Sequence, residues 1–319
     1  MKAIQTKQYG GEEQLGLVEV PKPQAGKGQV VVRVFATSFN PIDVKLISGN
    51  MREVMPLQFP FVPGADFSGV VDSVGEGTSQ FHVGDEVWGY PVGGGSYAEY
   101  LVVDADKIAP KPKALSHIEA ASLALVGQTA LQAVDRAGVQ KGQTVLIHGA
   151  GGAVGSVAVQ EAHRRGAKVI GTSARASFDR LKAYGADQLI DYESAPFEKS
   201  VQGVDVVLDN VGGDVLQRSF GVLKPGGVLV SIVQPPPEEE ARKHQVKASL
   251  LATEPSAATL RRLTELVEAD EIKPFVGKVC RLTDVAKAWK ESRTHHIEGK
   301  IAFQVAEEAG ARRSATASK

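Results

Sequence analysis

Thr144 to Gly155, TVLIHGAGGAVG, is the stretch whose reading decides the fold of this chain. The apolar and β-branched residues from Thr144 to His148 predict a buried strand, and the glycines after them a tight turn. VGSVAVQEAHRR then predicts a helix, with Val154, Val157, Ala158 and Glu161 at helical spacing. A turn without Cβ atoms at Gly152 and Gly155 lets the backbone approach a pyrophosphate. The helix behind it aims unbonded N–H groups and the positive end of its dipole at the phosphates. The pattern is G-x-G-x-x-G with Ala150 in first place and Gly152, Ala153, Val154 and Gly155 completing it. A second strand, AKVIGTS, ends at Ser173, about twenty residues on, where the ribose-reading residue of such a motif falls. A glycine-rich turn without a ligand is the competing reading.

Downstream, helix and strand signals alternate: a helix through FDRLKAYG, strands at QLID and VDVVLD, a helix at DVLQRSFGVL, and the strand VLVSIV after KPGG. Such alternation predicts a doubly wound parallel sheet, an α/β Rossmann domain over roughly residues 121–260. PPPEEE at 235–240 cannot continue a central strand and reads as a rigid solvated loop, or as a border of the ligand site beyond a strand's carboxyl end. A helix is expected from Ser256 to Ala269, then CRLTDVAKAWKES and a closing strand GKIAFQV that returns to the first domain. Upstream, residues 1 to about 120 carry short apolar runs punctuated by Gly and Pro, the texture of a mostly β domain, completed by about 270–305. The tail 306–319 is small and polar, and reads as disordered.

The chain's 319 residues suffice for two cores, and its 36 basic and 37 acidic side chains nearly cancel. No basic field recruits nucleic acid or an anionic membrane, so neither is an expected partner. The start, MKAIQTKQYG, lacks the apolar core of a signal peptide, and a cytoplasmic protein is expected. The single cysteine, Cys280, excludes an internal disulfide and reads as a buried, inert thiol.

The motifs NPIDVKLISG (40–49), FPFVPGADFSGVVDSVG (59–75), FHVGDEVWGY, GSYAEYLVV, ALVGQTALQAV, GAGGAVG, YGADQLIDY, LDNVGGD, LKPGGVLVSI and GKIAF follow one another along the chain. In them the chain to about Val305 resembles the medium-chain dehydrogenase/reductase superfamily, specifically its zinc-independent quinone oxidoreductase and 2-alkenal reductase branch. The resemblance implies a GroES-like catalytic domain built from both chain ends around the Rossmann domain, an active site in the cleft between them, and a homodimer.

Where zinc-dependent members of the superfamily carry metal ligands, this chain has Asn40, Ala65 and Leu125. Asp66 is the one remaining candidate ligand, and one carboxylate does not hold zinc, so no metal is expected. His148 ends a core strand, and His295 with His296 reads as a surface pair. An acidic residue at Ser173 would accept the ribose hydroxyls of NAD and repel a 2′-phosphate. Ser173 followed by Arg175 therefore favours NADP(H), with a solvated Arg175 as the alternative. Tyr192 matches the tyrosine that relatives place near that phosphate. The family pattern also carries over Thr129, Asn210, Val211, Ile232 and Val233 as cofactor contacts.

With no metal expected, the protein need only hold a nicotinamide hydride near an electrophilic carbon and polarise the acceptor's carbonyl. A small quinone or an α,β-unsaturated carbonyl fits. Asn40, Asp43 and Lys45 of NPIDVK are the candidates on that side, Lys45 holding a developing oxyanion or the cofactor ribose and Asp43 orienting it. The same residues also read as a structural turn with a solvated lysine. Tyr97 and Tyr90 are candidate proton donors, with core packing the alternative for Tyr97. Met51, Met55, Leu57 and Phe59 suggest an apolar wall, with core packing an equally good reading of Met55 and Phe59. The expected activity is NADPH-dependent reduction of a quinone or enone. The alternatives are an enoyl or double-bond reductase of a larger metabolite, and a non-catalytic NADPH-binding protein.

Overall fold

The computed structural model describes residues 1–91, 93–294 and 298–307. His295, His296 and residues 308–319 of the expected tail lie outside the described residues. The chain forms two compact units. One comprises Met1–Leu125, Pro255–Thr264 and the described residues from Phe275 on; the other comprises Val126–Glu254 and Glu265–Pro274. The chain passes from the first to the second within the long helix His117–Ala137. Among the described residues, no helix is long and apolar enough to cross a membrane.

The second unit holds a six-stranded sheet in the order Gln188–Asp191, Lys168–Ser173, Thr144–His148, Val204–Asp209, Leu223–Ser231, Lys247–Leu250. All its pairings are parallel. Its central strands read as unbroken apolar runs because both faces are covered: Val145, Leu146, Val206, Val207, Leu229 and Val230 are fully buried, and Leu216 and Phe220 pack on one face. Each such side chain contributes about 1.5–3 kcal/mol.

Two readings change here. Lys247–Leu250 is a sixth strand that sequence patterning does not reveal, because an edge strand with half its residues exposed carries no apolar run. The expected PPPEEE loop becomes a helix at Glu238–Lys243, whose three glutamates occupy the first turn where the helix dipole favours negative charge. Glu161, placed by spacing on an apolar helix face, is fully buried. Its carboxylate accepts hydrogen bonds from Arg164 and Arg165 at 2.8–3.1 Å.

The first unit is a sheet of Val276–Arg281, Lys300–Gln304, Gln29–Ser38, Phe67–Val74, Glu86–Gly89 and Ile108–Pro110 in that order, with Tyr100–Asp104 also paired to Gln29–Ser38. The last strand of the chain lies antiparallel on Gln29–Ser38, with Ala302 opposite Ser38. Cys280 is half-buried on the edge strand Val276–Arg281, and burial raises its thiol above the ordinary range, so it is less enclosed than expected but inert.

His148 ends its strand beneath the glycine turn. The Ser219 hydroxyl donates to the Val215 carbonyl (2.6 Å) and therefore accepts from His148 Nε2–H (3.0 Å), while Nδ1 accepts from the Thr172 hydroxyl (3.0 Å). Burial lowers this imidazole to about 4 from 6.5; Asp209 and Glu198 oppose the shift and Arg218 adds to it. The folded ring stays neutral while the unfolded ring takes up a proton below 6.5, so acid favours unfolding through this group. We expect it to remove about 3 kcal/mol of stability between pH 6.5 and 4. His148→Gln should flatten that part of the slope in urea titrations at pH 7 and 4.5; an unchanged slope contradicts the assignment.

Candidate functional site

The glycine turn begins with Gly149 at φ +65°, a left-handed conformation that glycine adopts without strain. Ala150 N–H bonds to the Thr172 carbonyl (2.9 Å) and Gly152 N–H to the Gly149 carbonyl (3.0 Å). Gly152 is the N-cap of helix Ala153–Arg164, whose first intrahelical bond is Ser156 N–H to Gly152 O (2.9 Å). The N–H groups of Ala153, Val154 and Gly155 precede it, the anion-binding end of a helix. A Cβ at Gly155 would lie 2.2 Å from the Gly149 carbonyl oxygen and 2.8 Å from the Ala150 Cα. Gly155 is thus required for close packing of helix on strand, and the open position in the turn is Gly152, where a Cβ would meet only the Gly149 oxygen at 3.3 Å. This cradle fits a dinucleotide pyrophosphate.

Ser173 ends the neighbouring strand and is buried against the turn: a Cβ at Gly151 would lie 2.3 Å from its hydroxyl and 2.8 Å from that of Ser177. Arg180 donates to the Gly151 carbonyl (3.2 Å) and the Ser177 hydroxyl (3.1 Å). Sequence reading missed both Ser177 and Arg180, since a serine and an arginine in a short polar helix carry no periodic signal. Arg175 and Tyr192 are exposed.

Strands Thr144–His148, Val204–Asp209 and Leu223–Ser231 end in register, His148 beside Asp209 and Asp209 beside Ser231. Asp209, also missed, organises the loops beyond. Its carboxylate accepts the N–H groups of Val211 (3.0 Å) and Gly212 (2.9 Å) and the Ser231 hydroxyl (2.8 Å), and Ser231 Oγ accepts Val233 N–H (3.2 Å). Asn210 donates to the His148 carbonyl (2.7 Å). Asn210, Val211, Ile232 and Val233 thereby share one sheet edge with the glycine turn. Thr129 is buried, its hydroxyl 2.8 Å from that of Thr253.

In the first unit, the end of Gln29–Ser38 and the starts of Phe67–Val74 and Lys300–Gln304 converge on one buried cluster. Asp66 accepts from Ser38 N–H (2.7 Å), the Ser38 hydroxyl (2.6 Å) and Asn40 Nδ2 (2.8 Å). Lys300 donates to the Phe39 carbonyl and Asn40 Oδ1, both at 2.6 Å, and lies 3.5 Å from Asp66. Asn40 then caps helix Pro41–Ile47, and Asp43 Oδ2 accepts Asn40 N–H (3.0 Å) and the Tyr97 hydroxyl (3.2 Å). Trp289 Nε1–H reaches the same hydroxyl at 3.4 Å. Burial, then the Asp66 charge, raises Asp43 to about 7. Burial lowers Lys300, and burial raises Tyr97 well above its ordinary range.

The expected pairing of Asp43 with Lys45 is therefore corrected: Asp43 is taken by Asn40 and Tyr97, and Lys45 is exposed on the helix. The cation of the cluster is Lys300. Asn40, Asp43 and Tyr97 are at most 2% exposed, so they shape the site from beneath rather than reach into it. Tyr90 is only half-buried. A metal ion does not fit here. Both Asn40 amide atoms and both Asp66 oxygens are engaged within the chain, Ala65 offers no ligand atom, and a divalent cation at Asp66 would meet the Lys300 ammonium.

Residues 26–113 match the alcohol dehydrogenase GroES-like domain, and residues 184–302 a family described as zinc-binding dehydrogenase. The chain is 35% identical over 291 residues to the 2-methylene-furan-3-one reductase of Solanum lycopersicum, covering 86% of this chain and 71% of that protein. It is 32% identical to the mitochondrial NAD(P)H oxidoreductase RTN4IP1 of Homo sapiens, over 87% of this chain and 82% of the other. The quinone oxidoreductase structure from Coxiella burnetii superposes with a TM-score of 0.91 at 36% identity, covering 96% of this chain and 99% of that one.

Lys300→Met should lower stability by about 3–5 kcal/mol, because it leaves the Asp66 carboxylate and the Asn40 and Phe39 oxygens buried without their cation. Combined with Asp66→Asn, the loss in denaturant titration should be smaller than the sum of the single losses. Additive losses would show that the two do not act as a pair.

Proposed function

This chain belongs to the medium-chain dehydrogenase/reductase superfamily, among its quinone oxidoreductase and alkenal reductase relatives, and from that premise we propose that it is an NADPH-dependent, metal-independent reductase of small quinones or α,β-unsaturated carbonyls. The observation that carries this reading is the glycine turn at Gly149–Gly155 with a serine, not an acid, at the end of the next strand. When bound, the reduced nicotinamide supplies a hydride. The acceptor's activated carbon takes it, and the resulting enolate or quinol anion is completed by a proton.

The chain's own residues support each part of this reading. The first N–H groups of helix Ala153–Arg164 would hold the pyrophosphate. Ser173 brings no charge against a 2′-phosphate, and exposed Arg175 supplies a cation two residues on. Asp191, beside Ser173 in the sheet, is turned to its own loop by bonds from Glu193 N–H (3.0 Å) and the Ser194 hydroxyl (2.7 Å). Lys45, exposed on the NPIDVK helix, is the cation that would meet a developing oxyanion on this reading. On this reading no step calls for a metal, which the Lys300 ammonium 3.5 Å from Asp66 supports.

Cofactor binding and turnover with a quinone and a short enone test this directly. NADPH should bind at least about tenfold tighter than NADH, as one charge-assisted contact gives. Ser173→Asp should reverse the preference, and turnover should survive exhaustive chelation with no zinc in the protein. Equal affinity for the two cofactors would refute the NADPH assignment, and loss of activity on chelation the metal-free one.

A further inference from the structure

The buried cluster of the first unit does not balance its own charge. Asp43 and Asp66 are two carboxylates, Lys300 is one ammonium, and all three are at most 5% exposed. Asp66 lies 3.5 Å from the ammonium and accepts from Ser38 and Asn40 as well. Asp43 is further from the cation: Lys300 donates to Asn40 Oδ1 and Asn40 N–H donates to Asp43, so the asparagine stands between them. With both carboxylates ionised the cluster holds one net negative charge, and nothing within it offsets the desolvation of that charge. One proton cancels it, and the carboxylate less well served by the ammonium is the one that takes it. Among the described residues, the charges that act on Asp43 are those of Asp66 and Lys300; the neighbouring titratable groups are the phenols of Tyr97 and Tyr90, and Lys45 on its own helix is exposed.

The Tyr97 hydroxyl is placed to respond to that proton. It stands 3.2 Å from Asp43 Oδ2 and 3.4 Å from the Ser38 carbonyl, and it has one hydrogen to give. Its oxygen accepts Trp289 Nε1–H at 3.4 Å. Beside an ionised Asp43 the hydroxyl donates to the carboxylate, the stronger acceptor. Beside a protonated Asp43 the carboxyl becomes the donor, and Tyr97 turns its hydrogen to Ser38. We propose that the Asn40–Asp43–Asp66–Lys300 cluster is a proton-binding site, taking up one proton on Asp43 while the Tyr97 hydroxyl turns from Asp43 to the Ser38 carbonyl. Burial and the Asp66 charge place the uptake at about 7. The protonated cluster is neutral, and the ionised one puts a negative charge at the foot of the helix that bears Lys45. Tyr90 carries the difference toward solvent. It follows Gly89, whose partner is Phe67, so the register sets it across from Asp66, and it is half-buried. Burial and the charges of Asp43 and Asp66 raise its phenol, which therefore ionises more readily once Asp43 is neutral. The inference needs neither cofactor nor acceptor and stands apart from the reductase reading.

The experiment is a carbon-detected NMR titration of the aspartate side-chain carboxyls in the whole protein, with tryptophan fluorescence followed over the same pH range. One aspartate carbon should titrate with a midpoint at about 7, well above the ordinary carboxylate range, and the fluorescence should change with the same midpoint. Asp43→Asn, whose amide donates to Tyr97 as the protonated carboxyl does, should abolish that carbon's titration and hold the fluorescence at its acid-side value. Tyr97→Phe should keep the titration, with the midpoint moved up by the loss of a bond to the charged form, and remove most of the fluorescence change. Asp66→Asn should move the midpoint down. If every aspartate carbon of the unsubstituted protein titrates below about pH 5, the proposal is overturned whether or not the variants fold. Survival of the neutral-pH titration in Asp43→Asn overturns it too, and a carbon at about 7 whose titration the fluorescence does not follow overturns the turning of the Tyr97 hydroxyl.

Discussion

The ammonium of Lys300 is the constraint on which the first unit depends. One strand ends and two begin within a few ångströms of it, and the side chains of Ser38, Asn40 and Asp66 there are buried. Asp66, Asn40 and the Phe39 carbonyl are satisfied by one another and by this single cation. An ion pair so buried gives little net stability over an apolar substitute, yet it fixes geometry, because Ser38, Asn40 and Asp66 are bonded to one another and to Lys300 in one connected network. Helix Pro41–Ile47 leaves the cluster in a direction set by that arrangement, and so does the exposed lysine it carries.

The second unit solves the same problem with a carboxylate held by backbone N–H groups and a hydroxyl. Asp209 gathers two backbone N–H groups and a hydroxyl at the end of a central strand, and through Ser231 it reaches the loop beyond the next strand. The glycine turn is held from the other side by Thr172 and by Gly155, whose missing side chain lets helix and strand touch. A cofactor would therefore meet backbone already ordered by bonds within the chain, which reduces the ordering cost of binding.

The parts legible in the sequence were those whose cause is local. GAGGAVG announces a turn because glycine spacing and the flanking strand and helix lie within one short window, and the central strands announce themselves because burial on both faces leaves an unbroken apolar run. Lys300 was not legible. In GKIAF it reads as any lysine before a strand, and its partner Asn40 stands 260 positions away. NPIDVK shows Asn40, Asp43 and Lys45 as neighbours, and nothing in it points to a cation that arrives with the last strand. Asp209 was passed over for the same reason: the carboxylate in LDNV looks like a loop residue until the neighbouring strand supplies Ser231. Lys247–Leu250 escaped because an edge strand lacks a two-sided apolar signature.

The distance between Lys300 and Asn40 along the chain also orders events during synthesis. Val126–Glu254, nearly all of the second unit, is continuous and can collapse as it leaves the ribosome, its strands pairing with neighbours that have only just emerged. The first unit has no such freedom. Its β-rich segment is made early but lacks the strand and the cation that complete its sheet until residue 300 arrives, so Asp66 and Asn40 stay hydrated and their buried arrangement cannot form through most of translation.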